Sequence, residues 1–115
     1  MRTVRVQAHA ATDPDRAYDA IVGLGGELRV PFRGRAIRWA QRYEPGPDRR
    51  TIAFTQIDGD FRTLTGVWRI APVAGGCEVC FEATFDVGVP IYDRILDLPV
   101  AAVLADRARA VIARL

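Results

Sequence analysis

The feature that most constrains this chain is a change of hydrophobic period. Over residues 59–87, GDFRTLTGVWRIAPVAGGCEVCFEATFDV, bulky apolar and polar side chains alternate in two runs around a small-residue turn. A period of two marks strands buried on one face, and VAGG between the runs marks a hairpin. From Pro90 the period becomes 3.6. Val100, Val103, Leu104, Ala108, Val111, Ile112 and Leu115 form one stripe, with Arg107, Arg109 and Arg114 outside it. Pro99 sits inside that pattern, so a kink or a restart is expected there. A helix with such a stripe must bury it, and the available apolar surface is the concave face of a sheet.

The rest of the chain supplies that sheet. Residues 3–10 alternate, with Val4, Val6, Ala8 and Ala10 on one side and Arg5, Gln7 and His9 on the other. Thr12 or Asp13 followed by Pro14 is a helix start, and Ala17, Tyr18, Ile21 and Val22 make that helix's stripe until GLGG ends it. Residues 27–34 read as a short strand with Leu28, Val30 and Phe32 on one face. Pro31 lacks an N–H, so this strand is expected at an edge or bulged. Strands follow over 35–44 and 51–58, joined by PGPDRR, and GD makes a turn before the hairpin.

Composition excludes several classes. At 115 residues the chain is expected to be one domain spanning 1–115. Half of it is apolar and 26% is charged, which suits a globular domain rather than a disordered one. No run is long and apolar enough to span a membrane, and MRTVRVQAHAATDP has no apolar signal core, so the expected compartment is the cytoplasm. A net charge of +2 implies no polyanionic partner, and no nucleic acid is expected. All 16 basic residues are Arg, which together with the Ala and Gly content reads as the bias of a GC-rich, actinobacterial-type genome.

Parity assigns the inner face of the sheet. The inward residues are Ile37, Trp39, Gln41 and Tyr43, then Ile52, Phe54 and Gln56, then Leu64, Gly66 and Trp68, then Val79, Phe81, Ala83 and Phe85. An aromatic-rich inner face is ordinarily plain core. Gln41 and Gln56 argue otherwise, because an amide facing only a helix stripe is costly to bury unless it finds a partner. Apolar walls with a few polar groups are the make-up of a ligand pocket.

Other constellations carry less. CEVC over 77–80 has the C-x-x-C spacing, but on a strand an offset of three puts Cys77 and Cys80 on opposite faces, so no bridge and no metal site is expected. His9 is the single His and lies on the polar side of its strand. GLGG follows a helix rather than a strand, so it is not a dinucleotide loop. Asp58 and Asp60 flank a turn glycine, and turn chemistry accounts for them.

RWAQRYEPGPDRRTIAFTQIDGDF, then GVWRIAPVAGGCEVCFEATFDVGVP, then the amphipathic tail resemble the polyketide cyclase/dehydrase and lipid-binding branch of the START-like helix-grip superfamily. That branch includes aromatase/cyclases and coenzyme Q-binding proteins. The carrying matches are the G-D-F turn, the Trp seven residues after that Phe, the Ala-Gly-Gly hairpin and the closing Phe-Asp. The resemblance implies an α+β helix-grip fold: a curved antiparallel sheet wrapped around a long C-terminal helix. Members usually carry a second short helix and a further strand after the first helix. Here Val22 passes through GLGG straight to Glu27, so the fold is expected to be shortened there. An open cavity, a second subunit covering it, or a chain cut short would each account for this.

The resemblance implies a protein that binds a hydrophobic or aromatic small molecule, foremost a cyclase/aromatase of aromatic polyketide biosynthesis working without a cofactor. A non-catalytic carrier for a lipid or isoprenoid quinone is the alternative. The expected ligand-binding residues are Ile37, Trp39, Gln41, Phe54, Gln56, Leu64, Trp68, Phe81 and Phe85. The inner-face arginines of the aromatase/cyclases fall on Tyr43 and Gln56 here, so their cationic groups are not carried over. Tyr43 is the candidate catalytic residue, a phenol able to donate or relay a proton, against the plainer reading of a hydrogen-bonded phenol at the pocket rim.

Arg29, Arg33, Arg35, Arg38 and Arg42 are expected on the outer face of two neighbouring strands, with Arg49 and Arg50 in the loop beyond. Such a stripe suits an acidic protein or RNA, and by family analogy the acidic acyl carrier protein; a solvated strand face is the plainer reading. The bare edge at 27–34 and the apolar rim predict a homodimer, with Leu28, Val30 or Phe32 near its interface.

Overall fold

The structure is a computed structural model that describes residues 1–88 and 93–115, with side chains 93 and 94 left aside. Its elements are β1 (Arg2–Ala10), α1 (Pro14–Val22), β2 (Glu27–Phe32), β3 (Arg35–Pro45), β4 (Thr51–Gly59), β5 (Thr63–Val73), β6 (Gly76–Asp86) and α2 (Asp93–Ala113). The six strands form one antiparallel sheet in the order β1-β6-β5-β4-β3-β2. The first strand thus closes beside the last, while β2 takes the opposite edge, as Pro31 required.

Local chemistry explains the joints. Asp13 caps α1, its carboxylate accepting from the Asp15 N–H at 2.7 Å, with Pro14 at the first helical position. Arg33 and Gly34 turn β2 into β3 with φ of 48° and 79°, the two positive values of a type I′ hairpin. Between α1 and β2 the chain has only residues 23–26, with no intervening helix. The register of β3 on β4 slips at Ala40/Gln41, so Gln41 pairs with Gln56 and Ile57 is bulged outward into solvent.

The inner face follows the alternation. Trp39, Gln41, Ile52, Phe54, Leu64, Trp68, Val79, Phe81, Ala83 and Phe85 are all buried. The helix α2 lies across them and touches both edge strands, β1 and β2, as well as β6, which is the helix-grip arrangement. It buries Val100, Leu104, Ala105, Ala108, Val111 and Ile112. It runs unbroken through Pro99, so the expected restart does not occur. Its expected onset at Pro90 lies outside the described residues.

Some expectations need correction. Phe61 belongs to the bend before β5 rather than to the strand, and its ring is buried. Val22, the last residue of α1, is exposed, and the buried stripe of that helix is Ala17, Tyr18 and Ile21. Val30 is 3% exposed within its own chain, so only Leu28 and Phe32 are left part-exposed among the residues expected near a dimer interface. Arg107 is not outside the helix stripe but part-buried against the sheet. Among the described residues no helix is long and apolar enough to cross a membrane.

Candidate ligand cavity

Where α2 crosses the sheet, a small enclosed space remains between them. Trp39, Gln41 and Tyr43 from β3, Phe54 from β4, Leu64 and Trp68 from β5, and Phe81 from β6 wall it on the sheet side. Leu104, Arg107, Ala108 and Val111 of α2, with Leu24 and Leu28, close it from the other side. The space measures about 30 Å³, room for about one or two water molecules. Its lining meets the outer grooves at Leu24, Leu28, Trp39, Arg107 and Val111. Leu24 also borders a groove of about 150 Å³ between α1 and α2, Leu28 borders an open groove beyond β2, and Arg107 borders the first of these and another of about 280 Å³ between β2 and α2.

Of the residues expected to bind ligand, Trp39, Gln41, Phe54, Leu64, Trp68 and Phe81 meet at this cavity, and Tyr43 joins them. Ile37, Gln56 and Phe85 do not border it. Gln56 has a different task. Its amide brackets the Phe61 peptide, donating to the carbonyl at 2.7 Å and accepting from the N–H at 3.2 Å. That clamp holds the Phe61 ring edge-on to Trp39 and Phe85, with centroids 5.4 and 5.7 Å away. Leu24, Leu104, Arg107, Ala108 and Val111 were missed because parity along strands is silent about loops and about the helix that covers them, and Leu28 because its edge strand was read as a dimer surface and not as a wall. The only sequence signal for Arg107 was its place beside the stripe residues Leu104, Ala108 and Val111.

Two aromatic stacks shape the wall. Phe54 lies parallel to Phe81 at 5.7 Å, and Trp68 tilts onto Phe81 at 4.8 Å. Gly66 makes this possible: a Cβ there would collide with the Phe54 ring and the Glu82 carbonyl, so its absence lets that ring lie flat across β5.

The polar groups of the cavity are donors. The Trp39 indole donates to Gln41 Oε1 at 2.8 Å, which fixes the amide so that its NH₂ is left for other partners. The Tyr43 hydroxyl donates to the Gly25 carbonyl at 2.9 Å and thereby ties the 23–26 loop to β3. Burial pushes the Tyr43 phenol above its ordinary value, partly offset by the Gln41 amide and by the Arg107 charge. Tyr43 is therefore neutral at physiological pH. Arg107 Nε is buried and has no hydrogen-bond partner among the described residues.

The outer face differs from a simple basic stripe. Arg29 and Arg38 stand directly opposite each other on β2 and β3. The groove they border, about 690 Å³, also carries Glu27, Asp58 and Asp60. Arg42 is 3.8 Å from Glu44, and Arg33 stacks over Phe32. Arg49 and Arg50 do not extend the stripe: they pair with Asp15 and Asp19 of α1, and Arg49 covers the Tyr18 ring. Cys77 and Cys80 are both buried free thiols, and His9 is exposed. No group of three or more His, Cys, Asp or Glu suited to a metal ion occurs among the described residues.

A curled six-stranded antiparallel sheet gripping one C-terminal helix defines the START-like class of folds. The profile of the polyketide cyclase/dehydrase and lipid transport family matches residues 4–112, and the chain belongs to that family. Among solved structures, the Zhui aromatase/cyclase from a Streptomyces species superposes with a TM-score of 0.80 at 16% identity, covering 98% of this chain and 92% of its own. TTHA0849 from Thermus thermophilus gives 0.79 at 20% identity, covering 97% of this chain and 92% of its own. A START superfamily protein from Mycobacterium smegmatis gives 0.76 at 14% identity, covering 97% and 95%. At these identities the likeness is one of fold. No curated protein sequence matches the chain.

Proposed function

We propose that this chain is a single ligand-binding domain that takes a hydrophobic or aromatic small molecule between its sheet and α2, and that it serves as a cyclase/aromatase-like protein of aromatic polyketide biosynthesis in the cytoplasm. The observation that carries the reading is the convergence of four aromatic side chains and three polar ones on one cavity, in a chain of this family. Occupation requires the cavity to widen. Leu24, Leu28 and Arg107 are the residues that must part, and Leu24 sits among glycines 23, 25 and 26, which make its backbone easy to move. In this reading Tyr43 is the proton donor to a developing enol.

One observation favours the carrier reading instead. The Tyr43 hydroxyl is already committed to the Gly25 carbonyl, so it must first release that bond to act on a substrate. The two readings separate on Tyr43→Phe. A cyclase should lose about 10²-fold in turnover of a poly-β-ketone thioester while affinity holds within a few-fold. A carrier should bind an isoprenoid quinone or lipid saturably, with no turnover in the wild type to lose. If neither class of compound quenches Trp39 and Trp68 fluorescence saturably, the ligand-binding reading is wrong.

The same proposal includes two partners. Among the described residues the edge of β2 has no further strand beside it, and part-exposed Leu28 and Phe32 lie along it, which supports a homodimer. Arg29 and Arg38 beside that edge support docking of an acidic acyl carrier protein. Sedimentation equilibrium giving a clean monomer mass at micromolar concentration would remove the dimer.

A further inference from the structure

Resting on the ligand-binding reading, we infer that the cavity selects an apolar ligand bearing a carboxylate or equivalent planar oxyanion, with Arg107 of α2 as its charged handle. The cavity is walled by thirteen residues, and none of them is acidic. Its polar groups are the Arg107 guanidinium, the Tyr43 phenol and the Gln41 amide. The amide oxygen is already occupied by the Trp39 indole, so what Gln41 has left to offer is its NH₂. The phenol's one O–H is held by the Gly25 carbonyl, so the guanidinium is the free donor that stands beside that NH₂. A cluster that has donors to spare and one positive charge is complementary to an oxyanion and to little else.

Arg107 has the further mark of an unfilled role. Its Nε is buried without a partner among the described residues, and none of the ion pairs among them includes it. The neighbouring Arg109 is by contrast exposed and paired with Asp106 at 3.1 Å. A buried, unpartnered donor on a cation is costly, and a carboxylate reaching the planar fork would satisfy it with two parallel hydrogen bonds. Position also fits. Arg107 stands where the inner cavity meets the β2–α2 and α1–α2 grooves, so it meets a ligand's polar head at the rim while the apolar body faces Phe54, Trp68 and Phe81. In the sequence the inner-face cation expected on the sheet was absent; here a cation enters the same space from the helix.

A matched pair of probes tests this: 2-naphthoate and 2-naphthamide share one ring system and differ in charge. Calorimetry on the full chain should give naphthoate about tenfold tighter binding or more, the difference expected of a charge-assisted pair. Arg107→Met should bring naphthoate down to the level of the amide and leave the amide within about threefold, and Arg109→Met should change neither. Equal binding of both probes to the wild type, or a preference that survives in Arg107→Met, overturns the handle while leaving the cavity reading intact. Failure of both probes to bind overturns the cavity reading and the handle with it. Should Arg107→Met not fold, Arg107→Gln makes the same comparison, and the wild-type ratio alone is sufficient to refute.

Discussion

The indole N–H of Trp39 donates to the side-chain oxygen of Gln41, two residues along the same strand, across 2.8 Å in the buried interior. Residues two apart on a strand share a face, so this bond is an outcome of parity alone. It satisfies an indole that would otherwise be stranded and leaves the amide's NH₂ on the side of Tyr43. Gln41→Met keeps the volume and removes the acceptor. It should cost about 1–3 kcal/mol of unfolding free energy, the usual penalty for a buried donor left alone. Urea denaturation would measure it, and an unchanged midpoint would mean the indole finds another acceptor.

Gln56 should prove structural. Gln56→Ala removes both hydrogen bonds to the Phe61 peptide and frees the ring that joins Trp39 to Phe85. A loss of about 2–4 kcal/mol is expected, with ligand affinity affected only as far as the fold is. A variant of wild-type stability that has lost binding would instead make Gln56 a ligand contact.

Gly66 leaves the space that the Phe54 ring occupies. Gly66→Ala places a methyl group against the Phe54 ring and the Glu82 carbonyl. Overpacking of this kind should destabilise by about 1–3 kcal/mol and push Phe54 off Phe81 into the cavity. Reduced affinity for an aromatic probe at a temperature where the variant is folded is the expected signature, and unaltered affinity would show that the ring has room to retreat.

The fold was legible in the sequence because its two periods are clean. Alternation placed every strand, Asp13–Pro14 started α1, and Pro31 put β2 at an edge. The site was legible only by half. Trp39, Phe54, Trp68 and Phe81 follow from parity, but Gln56 does not betray that it reaches five residues ahead to a turn. Arg107 was hidden for another reason. A long side chain flanking a helical stripe can reach solvent or bend inward along the sheet, and its stem packs equally well either way. Which happens depends on how near β2 and the 23–26 loop approach, a tertiary fact with no local signal.

Tyr43 gives a pH test. Burial raises its phenol, with Gln41 and Arg107 pulling partway back. A folded-state value above the unfolded one means the folded chain holds this proton more tightly. That stabilisation is fully present below the unfolded value of ~10 and is lost as pH rises through the folded value. The difference titration, wild type minus Tyr43→Phe, followed by phenolate absorbance, should therefore ionise above pH ~10. Ionisation at or below that value would contradict a buried, hydrogen-bonded phenol.

The most direct measurement of the central claim is a two-dimensional NMR titration with 2-naphthoate, watching the indole N–H resonances of Trp39 and Trp68. Both side chains wall the cavity, and both are nearly inaccessible from outside, at 6% and 4% exposure. Ligand entering between the sheet and α2 should shift both resonances along saturable curves with a shared dissociation constant and one site per chain. Shifts that stay linear, or that spare both indoles while moving only surface residues, would mean the space between sheet and helix is closed core and not a binding site.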